Sequence, residues 1–256
     1  MAGGLARRYA EGGADLILVA GGDGTINEVS EGLAGSPVPL GVLPAGTANV
    51  LATEMRLGRN PESVARRLGG LRPKRISLGH VACSDGVSRH FLLMAGVGLD
   101  AHVVYRVNAA LKAKTGKFAY WVAGWSLLGK RLAEFDVEIG GERRKCSFAL
   151  LSKVRNYGGD FEIARSVTLL QDQFEVILFE GATASRYVKY FAGMALNKLA
   201  GMSGVTVMRA DRVKISGARA HVQIDGELGG TLPAEFRIVP AALTLLVPEA
   251  YGNSGS

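Results

Sequence analysis

The segment GGDGT at residues 21–25 sets three glycines and a carboxylate between the apolar run LILVA and the helical spacing of INEV. Gly21, Gly22 and Gly24 leave the main chain bare where it turns, so a ligand can approach it closely. A loop of this kind that opens a helix points unpaired N–H groups outward, and phosphate is the chemistry that suits them. A plain strand-to-helix turn uses the same residues, and for a lone Gly-Gly pair it is the commoner case. PAGTAN at 44–49 is a second small-residue loop, and GVGLD (96–100) and IDGE (224–227) place Asp100, Asp225 and Glu227 beside glycines. Taken singly, GVGLD reads as a strand end with a helix-capping aspartate, and IDGE as a hairpin turn.

The elements that must position these loops alternate at the start of the chain. AGGLARRYAEGG reads as the end of a helix closed by Gly12 and Gly13, and DLILVA as a strand buried on both faces. INEVSEGLAG has helical spacing at Ile26, Val29 and Leu33, with Gly35 as its stop. The order then repeats with LGVL as strand, PAGTAN as loop and VLATEM as helix. Two strand–loop–helix units predict a doubly wound α/β layer with both loops on the carboxyl edge of the sheet, facing one crevice. From about Arg72 the pattern turns β-rich: RHFLLMAGVG, FDVEI and KCSFALL joined as a hairpin around GGERR, FEVILFEG, RVKISG, HVQIDGEL and EFRIV. Two helices are expected within this region, across about 103–132 and across SRYVKYFAGMALNKLAG. Glycine, proline and charge cluster at GGLRPKR, which sets the expected boundary: a nucleotide-binding layer over 1–72, a β-rich domain over 73–250, and a disordered tail over 251–256.

Composition narrows the class. The 256 residues are 48% hydrophobic and 21% charged, as in soluble globular chains. AYWVAGWSLLG is too short to span a bilayer, and the N-terminus lacks the apolar segment of a signal peptide, so the sequence reads as intracellular. Cys83 and Cys146 have no CxxC or histidine partner, and His80, His90, His102 and His221 share no ligand spacing. A net charge of +7 favours anionic partners, while scattered basic residues and the lack of a reading module argue against nucleic acid. In SRYVKYFAGMALNKLAG, Val188, Phe191, Met194, Ala195 and Leu199 fall at helical spacing, with Arg186, Lys189 and Lys198 supplying charge. That stretch fits peripheral contact with an anionic membrane, or equally a helix packed on its own domain.

GGDGTINEV, LPAGTANVLA, GVGLD and IDGE, in this order over essentially the whole chain, resemble the diacylglycerol kinase catalytic domain family, with its bacterial soluble lipid kinases and sphingosine kinases. GGDGT alone is shared with NAD kinases and 6-phosphofructokinases; the later motifs narrow the resemblance. It implies an α/β nucleotide-binding domain, a C-terminal β-sandwich-like domain and an ATP site between them. Gly21, Gly22, Asp23, Gly24, Thr25, Glu28, Gly46, Thr47 and Asn49 then inherit nucleotide binding. Asp23 and Asp100 inherit places in the catalytic polar network, Asp225 the role of general base on a lipid hydroxyl, and Glu227 support of the metal and charge network. ATP and Mg2+ are the implied cofactors, and a membrane-derived lipid the implied substrate. A structural magnesium is implied at Asp172, although Gln173 stands where glycine is usual. Val50 stands where many bacterial members carry aspartate. The resemblance also implies a strand and an Asn-Pro loop ahead of residue 1, so the N-terminal layer is expected to be incomplete in these 256 residues. A catalytically impaired nucleotide- or lipid-binding protein is the alternative reading, followed by NAD kinase.

Overall fold

The computed structural model describes residues 2–98, 132–157, 161–164, 166–183, 186, 189–190, 193, 199, 201–217 and 220–252, with positions 157, 161 and 162 as backbone alone. The chain opens with α1 (Ala2–Glu11), β1 (Ile17–Gly21), α2 (Asp23–Gly32), β2 (Leu40–Pro44), α3 (Val50–Glu54) and α4 (Pro61–Arg66). β1 and β2 pair in parallel, Ile17 opposite Leu40 through Gly21 opposite Pro44, so both glycine loops leave the same edge as expected. Ile26, Val29 and Leu33 turn inward from α2 onto Leu40 and Val42, the burial that their spacing predicts.

The expected boundary at 72/73 falls inside a strand. β3 (Leu71–Cys83) runs without a break from the nucleotide layer into the β-rich part. It pairs along its length with β16 (Ala234–Pro248), which shifts register between Val239 and Leu243. There Ala241 takes a φ of 46°, and the Arg75 guanidinium bonds to its carbonyl as well as to Ser36 O (2.7 Å) and Thr244 Oγ1 (3.1 Å). Beyond that shift Leu245 pairs in parallel with Leu40 of β2. Residues 243–248, which the sequence assigns to the second domain, therefore extend the first sheet.

The rest is a sandwich. β4 (Ser88–Phe91), β6 (Phe135–Ile139), β7 (Glu142–Cys146) and β13 (Arg212–Gly217) join β3 and β16 in one eight-stranded sheet with β1 and β2. β5 (Met94–Gly98), β8 (Phe148–Ser152), β11 (Phe174–Phe179), β12 (Val205–Ala210), β14 (His221–Ile224) and β15 (Glu227–Thr231) form the other, in the order β12-β11-β8-β5-β14-β15, while β9 (Asn156–Tyr157) and β10 (Phe161–Glu162) pair only with each other. Phe91, Val137, Val213 and Phe236 face Val97, Leu151, Val176 and Val222 across the sandwich. Leu150 and Ile177, pointing to the other side, join the core that also covers the nucleotide layer. FALLS and FEVILF are continuous apolar runs because both of their faces are covered.

Three sequence expectations change. The GGERR hairpin forms, but FDVEI pairs with ERRKC, and FALLS enters the opposite sheet after Ser147, whose N–H donates to Phe179 O at 3.0 Å. RHFLLMAGVG is two strands in different sheets, crossing over at Leu92–Leu93. Tyr251, expected in a disordered tail, is buried: its hydroxyl donates to Glu54 Oε1 (2.9 Å) and accepts from Leu169 N–H (3.1 Å). The helix expected at 103–132 lies outside the described residues. So does most of SRYVKYFAGMALNKLAG, where Arg186 and Lys189 are exposed and Tyr190 and Leu199 are buried.

Candidate active site

The two glycine-loop motifs are tied backbone to backbone. Ala45 N–H donates to Gly21 O at 3.0 Å, and a Cβ on Gly46 would stand 2.5 Å from the Cα of Gly22, so only glycine fits there. Asn49, buried and left-handed at φ 47°, folds its amide onto Gly46: Oδ1 accepts from Gly46 N–H (2.9 Å), and Nδ2 donates to Gly46 O (2.8 Å). The side chain of Asn49 thus shapes its loop from within, while Thr25 and Thr47 stand exposed.

Asp23 sits in the first turn of α2 with its carboxylate turned across to α3, accepting from the N–H groups of Val50 (3.1 Å) and Leu51 (3.2 Å). A carboxylate there satisfies the orphan donors of α3 and matches its dipole. The N-terminus of α3 is thereby occupied. α2 has Gly22 as N-cap with no side-chain cap, so its first-turn donors remain the ones open to an anion. Glu28, one turn on, leans toward α1 and accepts from Ala2 N–H at 2.9 Å.

The carboxylates of IDGE come from a two-residue turn between β14 and β15, with Asp225 at φ 47° and Gly226 at 90°, the geometry that Asp-Gly hairpins favour. The bland reading and the functional one are therefore compatible. The Asp225 side chain points down into the sheet crossover: Oδ2 accepts from Leu92 N–H (2.8 Å), and Oδ1 from Leu93 N–H (2.9 Å) and Met94 N–H (2.8 Å). Where the chain changes sheets these three donors have no strand partner, and a buried unpaired N–H is costly. With the Asn27 amide oriented to satisfy its neighbours, its nitrogen donates to Asp225 Oδ2 (2.9 Å) and its oxygen accepts from Arg89 Nη2 (2.8 Å). The four lone-pair directions of the carboxylate are then filled. Burial pushes its pKa up to about 6, against the pull of those amides and of Arg89 toward the charged form.

Glu227 is the opposite case. Its side chain is 49% exposed, with Arg89 Nη1 at 3.8 Å from Oε2. A Cβ on Gly24 would lie 3.1 Å from its Oε1, so the phosphate-type loop and the carboxylate hairpin, two hundred residues apart, are in contact. Arg89 and Asn27 complete this cluster and were not singled out from sequence. Asn27 carried a usable signal, a polar residue on the buried face of α2; Arg89, in a short alternating strand, carried none.

Of the other expected carboxylates, one is placed by the structure and one is not. Asp100 lies outside the described residues. Asp172 is exposed in the turn before β11. Beside it the fully buried Lys153 donates from Nζ to Gln171 O (2.7 Å). Burial pulls the lysine pKa down to about 8, with Asp172 working in the other direction. Among the described residues no group of three or more His, Cys, Asp or Glu could hold a metal ion. A single carboxylate next to a buried ammonium does not fit the implied magnesium.

Residues 1–81 match the model of the diacylglycerol kinase catalytic domain, and residues 94–247 that of the YegS C-terminal NAD kinase beta sandwich-like domain. The chain belongs to the diacylglycerol kinase family. Within it, the chain is 32% identical over 232 residues to a diacylglycerol kinase of Bacillus subtilis, covering 87% of this chain and 74% of that one. It is 28% identical over 241 residues to one of Mycobacterium tuberculosis, covering 92% and 78%. A solved structure from Bacillus anthracis superposes with a TM-score of 0.79 at 20% identity, covering 97% of this chain and 83% of that one. An NAD kinase from Archaeoglobus fulgidus, solved in complex with ATP, gives 0.53 at 14% identity, covering 96% and 82%. These likenesses agree with the fold of a nucleotide-type α/β layer under a β-sandwich. No helix among the described residues is long and apolar enough to cross a membrane.

Proposed function

We propose that this family member is an ATP-dependent lipid kinase, transferring the γ-phosphoryl group of ATP to a hydroxyl of a long-chain lipid such as diacylglycerol or a sphingoid base. What carries the reading is the meeting of Gly24 with Glu227. It brings a bare-backbone helix N-terminus, suited to phosphates, against an exposed carboxylate suited to an attacking hydroxyl. Phosphoryl transfer needs little more than that positioning. The names of the relatives favour a lipid acceptor, and the ATP of the NAD kinase neighbour favours an adenine nucleotide.

In this reading the phosphates lie on the first-turn N–H groups of α2, with Gly22 and Gly46 keeping the loops low enough to admit them. Mg2+ enters with ATP as part of the substrate and neutralises phosphate charge. Glu227 takes the proton of the lipid hydroxyl, the lipid oxygen bonds to the γ-phosphorus, and the bond from that phosphorus to the bridging oxygen breaks to release ADP. Asp225, assigned the proton by the resemblance, instead anchors the hairpin that aims Glu227, since its own lone pairs are filled. Arg89 positions Glu227 and brings a cation to the phosphate side. Asp23 fixes the second loop against the first.

Incubating the purified chain with γ-labelled ATP, Mg2+ and a total lipid extract is expected to yield a labelled, solvent-extractable lipid phosphate. ATP binding without any labelled lipid would replace this reading with that of a silent nucleotide-binding protein. The loop contact has its own test. Gly46→Val is expected to force the two loops apart and abolish the thermal shift that ATP and Mg2+ confer, while the chain still unfolds cooperatively. An unchanged shift would make the loops simple turns.

A further inference from the structure

Lys153 follows β8 and is fully buried, which is rare for a lysine. Its Nζ donates to Gln171 O at 2.7 Å and to the Ser77 hydroxyl, and that hydroxyl donates in turn to the same carbonyl at 3.0 Å. Gln171 closes its own turn, its N–H donating to Thr168 O (3.1 Å) and its Oε1 accepting from Thr168 N–H (3.2 Å). The main chain of Lys153 donates to Leu93 O at 2.8 Å, and Leu93 N–H is one of the three donors to Asp225. Lys153 thus joins β3 and the 168–173 turn through its ammonium, and the sheet crossover through its main chain. Asp172 supplies the nearby negative field that favours its charge.

This is where the family resemblance puts a structural magnesium, and the residues do not suit one. The Gln171 carbonyl, next to Asp172 in the chain, already accepts from Lys153 and Ser77. A divalent ion drawn to the exposed Asp172 would meet the fixed positive charge of Lys153, buried beside it, and be repelled. We propose that the Lys153 ammonium is an internal replacement for that cation, so that the 168–173 turn and the crossover it supports are held without a divalent metal.

The test needs neither nucleotide nor lipid. Thermal unfolding of the purified chain is expected to give the same midpoint in EDTA and in millimolar Mg2+, within about 1 °C, because no ion is bound to stabilise the fold. A rise of several degrees with Mg2+ that Asp172→Asn removes would overturn the proposal. Lys153→Met keeps most of the stem and removes the charge. Amide hydrogen exchange over 168–173 is then expected to speed up by about tenfold or more, the equivalent of one charge-assisted bond. Unchanged protection there would also overturn it. If Lys153→Met does not fold, the comparison of EDTA with Mg2+ on the unmodified chain still decides.

Discussion

Glu227→Gln is expected to lower the rate of phosphoryl transfer to lipid by about 10²- to 10⁴-fold, the range typical for loss of a general base. Glutamine has nearly the same size but accepts no proton at neutral pH. The side chain is half in solvent and its contact with Arg89 is a loose 3.8 Å, so stability should change by less than about 0.5 kcal/mol. Nucleotide affinity should also hold, because the phosphates rest on the α2 donors. A single comparison of turnover, ATP affinity and denaturation midpoint therefore separates a chemical role from a structural one. Near-normal turnover in this variant would move the base elsewhere.

Asp225→Asn should fail in a different way. One carboxylate oxygen becomes an NH2 group, and either orientation of the amide sets a donor against a donor: Leu92 N–H on one side, Leu93 and Met94 N–H on the other. Each charge-assisted bond is worth about 1.5–3 kcal/mol, so the loss of folding stability should exceed about 3 kcal/mol, read from denaturant unfolding. Inactivity of this variant would say nothing about proton transfer unless its stability were measured too. Normal stability with turnover abolished would return the base role to Asp225 and sink the anchor assignment.

The contrast between these carboxylates marks what the sequence could and could not reveal. Both glycine loops, their common edge and the α2 core face were legible, because Gly21, Gly22 and Gly46 are needed for local reasons and Ile26, Val29 and Leu33 repeat at a helical period. IDGE was legible as a turn. The inward direction of Asp225 was not, since it is set by N–H groups of Leu92, Leu93 and Met94 at a crossover more than a hundred residues earlier. RHFLLMAGVG has no glycine, proline or polar break at that crossover, so it reads as one strand. Lys153 in LLSKV looks like an ordinary charge at a strand end until the 168–173 turn closes over it. Tyr251 looks like tail for the same kind of reason: its partners, Glu54 and Leu169, are distant in sequence.

The register shift in β16 bears on how such a chain is made. Leu40 of the second strand waits for Leu245, some two hundred residues later, before its free edge is paired. A ribosome delivers the glycine loops about two hundred residues before the segment that pairs the free edge of β2. Closing so long a loop is slow, and the exposed edge of β2 is a hazard until it happens. The half that carries the phosphate loops is therefore not an autonomous module that gained a sandwich. The edge of β2 stays unpaired until residues 243–248 return to it, which makes domain exchange between relatives at residue 72 a poor cut and a joint transfer of 1–76 with 243–248 a better one.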